Sequence, residues 1–88
     1  MKKVSITIKN KEGLHARPAS IFVNTASSFK SKINIIKNND ESKEYVAKSI
    51  LSLMKMAAAE GDVITIIAHG EDEDAAIRKL QDLIEGGF

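Results

Sequence analysis

Cysteine is absent from the 88 residues, and so is tryptophan. There is one proline, one tyrosine and three phenylalanines. Each shortage excludes something. Without thiols there is no disulfide framework and no cysteine-ligated metal site. Two histidines do not complete a structural zinc site by themselves, so no metal and no cofactor is expected. A long apolar run is also missing. The most hydrophobic segment, Val63 to Ala68, is six residues long and includes Thr65. A membrane span needs about 20 apolar residues, so no membrane insertion is expected. Lys2 and Lys3 lead into an alternating pattern rather than an apolar stretch, which argues against a signal peptide and for the cytoplasm.

An excess of one charge is missing too. Lys and Arg number 13, Asp and Glu 12, for a net charge of +1. Bulk nucleic-acid binding calls for a more basic chain. The distribution is uneven, however. Residues 1–44 carry nine basic and four acidic groups, 9 − 4 = +5, and residues 45–88 carry four and eight, 4 − 8 = −4. The split is either ordinary surface charge or a basic face for an acidic or anionic partner.

What the chain does have is aliphatic patterning, with 43% hydrophobic residues. Its length suits a single domain, residues 1–88, near the lower limit for a core that holds without staples. Val4, Ile6 and Ile8 alternate with polar residues, which predicts a half-buried strand. From Pro18 the period changes: Ala19, Phe22, Val23, Ala26 and Phe29 recur at helical spacing. Proline is at home in a first helical turn, so the helix is predicted to begin near Ala16 with His15 at or beside the cap. Ile33 and Ile35 mark a second strand, Asn38 to Glu41 a turn, and Tyr45 a short third strand. A second helix is predicted from Lys48-Ser49 to about Ala59, with Gly61 as its stop. Val63 to Ala68 is the strongest strand. Asp72 is the expected side-chain cap of a last helix, whose buried stripe is Ala76, Leu80, Leu83 and Ile84. Gly86-Gly87 is read as releasing the tail. The order β-α-β-β-α-β-α predicts an α+β two-layer open-faced sandwich: a four-stranded antiparallel sheet with three helices on one face.

Chemistry concentrates in Gly13-Leu14-His15-Ala16-Arg17-Pro18-Ala19. A histidine stands where the first N–H groups of a helix are unpaired. That end is partly positive and favours a neutral imidazole, the nucleophilic form. An anion transferred to the ring would face the same N–H groups and Arg17. An isolated histidine reads as a cap or a solvated side chain; Arg17 and Pro18 at this spacing favour the nucleophile. His69, beside Gly70, has no such neighbours and reads as a solvated residue at a strand end.

The 13–19 segment resembles the active-site signature of the HPr family, the histidine-containing phosphocarriers of the bacterial sugar phosphotransferase system. The resemblance extends over the whole chain in length and element order. Lys48-Ser49-Ile50-Leu51 independently resembles the family's regulatory serine motif. The resemblance implies a stoichiometric carrier rather than an enzyme. Enzyme I, charged from phosphoenolpyruvate, would phosphorylate His15 at Nδ1, and His15 would pass the group to a sugar-specific IIA domain. Arg17 would position and neutralise the phosphate. Ser49 would be a target of HPr kinase/phosphorylase, its product acting with catabolite control protein A; alternatively it is only an N-cap. A monomer is expected, with no direct nucleic-acid contact.

The helix from Lys48 carries more apolar surface than one buried face requires. Leu53 and Met56 suit the core. Ile50, Leu51 and Met54 lie on neighbouring stripes, and either widen the buried arc or form an exposed docking patch. The family resemblance favours the patch, with Ser20, Lys48, Lys55 and Ala57 as further interface candidates. There are departures. Glu12 stands where the family commonly has a small polar residue, and its charge opposes a phosphate on His15. Asn38 to Lys43 lengthens the hairpin. Ala57 replaces a glycine that often ends the second helix, which predicts that the helix runs on toward Glu60.

Two other functions compete with the carrier. A purely regulatory module of the same fold would act through Ser49 and the helix patch, but such family members lack the active histidine. A small-ligand or RNA-binding sandwich would need aromatic or basic residues on the open sheet face. Four aromatics in all, with Phe22 and Phe29 at helix-core spacing, speak against it.

Overall fold

A computed structural model describes residues 1–88. The elements are β1 (Lys2–Thr7), α1 (Ala16–Ser27), β2 (Lys32–Lys37), β3 (Tyr45–Val46), α2 (Ile50–Met56), β4 (Val63–His69) and α3 (Glu73–Glu85). The strands pair antiparallel in the order β1-β4-β2-β3. This is the open-faced sandwich that the alternation of apolar periods predicts.

The period-two pattern works as it should. Ile6, Ile33, Ile35, Ile64, Ile66 and Ala68 face inward and are buried. The helices close over them with Ala19, Phe22 and Ala26 from α1, Leu53 and Met56 from α2, and Ala76, Ile77, Leu80 and Ile84 from α3. Ile77 takes the buried place expected for Leu83, which packs half-exposed at the margin. All four aromatics, Phe22, Phe29, Tyr45 and Phe88, sit in this core or against it. The outer sheet face is left to residues such as Ser5 and Thr65, register partners whose hydroxyls bond at 2.8 Å. None of the four Phe and Tyr rings lies on that face, which also carries Lys3, Lys32 and His69.

Of the two sheet edges, β1 and β3, the second is short and partly occupied. β3 has only two residues, and the Val46 N–H donates to the Ser52 hydroxyl at 2.8 Å.

Three expectations fail at chain ends and turns. The second helix stops at Met56, well short of Ala59 and Glu60, so Gly61 does not terminate it. Ala57 itself is the C-cap, left-handed at φ 51°, with its N–H on the Leu53 carbonyl. The next residue forces the turn: Ala58 is fully buried, and its carbonyl must reach Leu14. Asp72 occupies the N-cap of α3, yet its carboxylate makes no cap bond. It instead accepts the Lys30 N–H at 2.8 Å, the Ser31 N–H at 2.9 Å and the Ser31 hydroxyl. Ser31 is 1% exposed and is the one buried polar residue, so a fixed acceptor there outranks a cap. The tail is not released. Phe88 folds back against the core, and its N–H donates to the Leu83 carbonyl.

Candidate functional site

The segment between β1 and α1 is built as a rigid stand for His15. The Asn10 carbonyl accepts the Gly13 N–H at 3.1 Å, and the Asn10 amide donates back to the Gly13 carbonyl at 2.8 Å. Gly13 has φ +64°. A Cβ there would lie 2.3 Å from the Ala58 oxygen, so the backbone approach needs glycine. Leu14 is fully buried beneath the site, and its N–H donates to Ala58 at 2.9 Å. Two further backbone bonds, Ile8 N–H to Asp62 oxygen and Gly61 N–H to Ile8 oxygen, both 2.9 Å, complete the seam. The loop after α2 is therefore the foundation of the histidine loop.

Asp62 fastens that foundation. Its carboxylate accepts the Ala59 N–H at 2.9 Å and the Asn38 amide at 3.2 Å. These bonds, the Ala59 one first, hold its carboxyl below the usual aspartate range. Asn38 in turn accepts the Val63 N–H at 2.9 Å.

His15 is the N-cap of α1, extended at φ −123° and ψ 161°, and its ring makes no capping bond. The ring is half-buried and free to react. Its carbonyl accepts the Ala19 N–H at 3.4 Å. Ala16 comes next at φ 47°, a left-handed conformation that costs a non-glycine residue about 1–3 kcal/mol. The strain sits between the histidine and Arg17. Pro18 is buried in the first turn, where no N–H is needed. Arg17 and Ser20 are exposed. The two ion pairs of the protein are Met1–Glu73 and Lys2–Asp74, and neither engages Arg17. The stand thus presents an imidazole at a helix mouth with a free guanidinium in the first turn. Such a surface site can take and hold an anion; it has no enclosed cavity and no metal-ligating cluster.

Beside it, α2 shows the outward stripe. Ile50, Leu51 and Met54 are 44%, 63% and 47% exposed, while Leu53 and Met56 are buried. Lys55 and Ala57 are exposed on the same helix end. Lys48 is half-buried, and its ammonium donates to the Phe29 carbonyl at 2.7 Å. Ser49 is the N-cap of α2, with its hydroxyl oxygen accepting the Ser52 N–H at 3.1 Å. Two features lie beyond the sequence patterns above. Val46 is 50% exposed and, paired with Asn34, lies on the open face of the sheet rather than on the α2 stripe; its alternation with Tyr45 pointed to a strand but not to which face. Asn10 closes the histidine turn, a role that the Asn-x-x-Gly spacing does signal. His69 is exposed at the end of β4, as expected.

Known proteins share this whole plan. The family model described as the PTS HPr component phosphorylation site matches residues 2–86. Phosphocarrier protein HPr of Neisseria meningitidis serogroup A is 49% identical over 88 residues, covering 100% of this chain and 96% of that protein. HPr-like protein Crh of Bacillus subtilis is 41% identical over 80 residues, covering 91% of each. The crystal structure of HPr-C-His from Thermoanaerobacter tengcongensis superposes with a TM-score of 0.93 at 49% identity, covering 100% of this chain and 96% of that one. Fold and matches together define the class, the small phosphocarrier proteins of the phosphotransferase system. Within that class, the chain belongs to the HPr family.

Proposed function

We propose that residues 1–88 act as one cytoplasmic domain that accepts a phosphoryl group from phospho-Enzyme I on His15. The group then passes to IIA domains of sugar permeases. The single observation behind this reading is the uncommitted His15 ring at the α1 mouth with an unpaired Arg17 in the first turn. In the transfer, a ring nitrogen attacks phosphorus, a new N–P bond forms, and the bond to the Enzyme I histidine breaks. The charge on phosphorus oxygens stays outside the core, facing the helix N–H groups and the guanidinium. In the onward step the N–P bond breaks toward the IIA histidine. The protein is consumed and regenerated as a carrier and is not itself a catalyst.

Docking is assigned to the exposed stripe of α2, Ile50, Leu51 and Met54, with Ser20, Lys48, Lys55 and Ala57 around it. No helix is long and apolar enough to cross a membrane. The protein acts as a monomer in this scheme. Incubation with Enzyme I and phosphoenolpyruvate tests it. An acid-labile, alkali-stable phosphate should appear on the protein and be absent from His15→Ala; its absence from the parent protein would sink the reading.

A second role rests on Ser49. A phosphate there would carry about −1.5 to −2 charges beside the docking stripe. Under this reading HPr kinase/phosphorylase adds it, catabolite control protein A reads it, and Enzyme I docking is weakened. The presence of His15 favours a carrier with this added regulation over a purely regulatory module of the same fold. Mass spectrometry of the protein from its own cells, handled without acid, separates phosphate on His15 from phosphate on Ser49.

A further inference from the structure

Sulfur in this chain is confined to three thioethers, Met1, Met54 and Met56. Met54 and Met56 are two residues apart on α2, so they face different sides of the helix. Met56 lies in the core at 1% exposure; Met54 stands in the open at 47%. A dissolved oxidant reaches the second and not the first. Met54 also has a particular place. It lies three and four residues beyond Leu51 and Ile50, so the three side chains share one face. It is the member of that patch nearest the α2 C-terminus, from which Ala58 holds Leu14 beside His15. Met1 is exposed as well, but it sits at the start of β1 with its amine on Glu73 of α3.

We propose that Met54 is an oxidation site at which peroxide reversibly weakens the docking of phosphotransfer partners. The inference rests on the assignment of the α2 stripe as the docking surface. A sulfur lone pair attacks one oxygen of hydrogen peroxide. The S–O bond forms, the O–O bond breaks, and the departing hydroxide takes the proton from the transferred oxygen, leaving the sulfoxide and water. The thioether is oxidised by two electrons to the sulfoxide and the peroxide is reduced. Thiol-dependent methionine sulfoxide reductases reverse the step. The sulfoxide oxygen is a hydrogen-bond acceptor on the face it shares with Ile50 and Leu51, whose side chains offer no donor. It must keep its water or lose a hydrogen bond, so a dry contact can no longer close over it. His15, Arg17 and their seam are untouched. The effect therefore falls on recognition and leaves the chemical step alone.

The full-length protein, treated with hydrogen peroxide and quenched, is assayed as the substrate of Enzyme I and phosphoenolpyruvate. Peptide mass spectrometry should find one added oxygen on Met54 and none on Met56. KM should rise roughly fivefold or more while kcat stays the same. Methionine sulfoxide reductase should restore KM. In Met54→Leu, treated and untreated samples should share one KM. The proposal is overturned if Met54 stays unmodified, if the Met54 sulfoxide leaves KM unchanged, or if treated Met54→Leu still shows the rise. Leu51→Glu separates the two layers. If it raises KM while the sulfoxide does not, the oxidation proposal fails alone. If neither changes KM, the docking assignment fails with it.

Discussion

The Leu14 N–H donates to the Ala58 carbonyl across 2.9 Å, tying the residue before His15 to the residue after the α2 cap. Through this bond the His15 loop and α2 share one foundation. Gly13 is what lets the two backbones meet. Gly13→Ala places a methyl group 2.3 Å from the Ala58 oxygen at a positive φ. Strain and overpacking together should cost about 2–4 kcal/mol. Urea denaturation measures it; a loss under about 1 kcal/mol would mean the seam yields easily.

Arg17 is free of ion pairs and so is available to a phosphate. Arg17→Ala should slow phosphorylation of His15 by about 10–100-fold, the equivalent of one charge-assisted hydrogen bond. Arg17→Lys keeps the charge but not the planar fork, and should fall between the two. Rapid-quench transfer from phospho-Enzyme I ranks them. Equal rates for all three would dismiss Arg17 from the site.

Ser49 separates capping from regulation. Ser49→Ala loses the bond to the Ser52 N–H and should cost about 1 kcal/mol of stability. Ser49→Asp retains a good cap and should match the parent in thermal unfolding while docking Enzyme I more weakly. If the aspartate variant docks normally, charge at this position does not govern the interface.

Ala57 offers the opposite sign. It holds φ 51° as the cap of α2 with a side chain that gains nothing there. Ala57→Gly relieves the left-handed strain and should stabilise the protein by about 0.5–1 kcal/mol in urea titration. No change, or a loss, would show that the cap is unstrained.

Acid should act in part through Asp72. The Ser31 hydroxyl and then the Lys30 N–H hold its carboxyl below the ordinary aspartate value of 3.8. A group lowered on folding stabilises the fold fully above its unfolded pKa, and that contribution is lost as pH falls through the folded pKa. The loss should therefore begin below about pH 5 and continue beneath the ordinary value. Asp72→Asn should be less stable at neutral pH and show a shallower stability slope in that acid window. An unchanged slope would assign the acid response to Asp40, Asp62 or Glu73, which are lowered as well.

The strands and the inward faces of the helices were legible because they rest on period, and period is local. Ile6, Ile33, Ile35, Ile64 and Ile66 needed nothing beyond alternation. The histidine site was legible for a related reason: Gly13, His15, Arg17 and Pro18 lie within one short segment. What stayed hidden depends on distant partners. Asp72 looks like a cap until Ser31, 41 residues earlier, claims it. The end of α2 is set by Leu14 reaching for Ala58, which nothing in residues 50–60 announces. The exposure of Val46 depends on which face of a two-residue strand turns to the core, a choice that so short an alternation cannot encode.

The outer edge of the sheet carries a last consequence. A carrier must meet many surfaces briefly, and an open strand edge would invite a permanent partner, another copy of itself. At the edge beside α2 the strand, β3, is two residues long and the Val46 N–H is already held by Ser52. At this edge a second chain finds little ladder to extend, and the longer edge of the sheet, β1, lies on its far side. The apolar stripe of α2 can thus stay open to solvent without seeding strand addition beside it, and contact through side chains alone can still be undone.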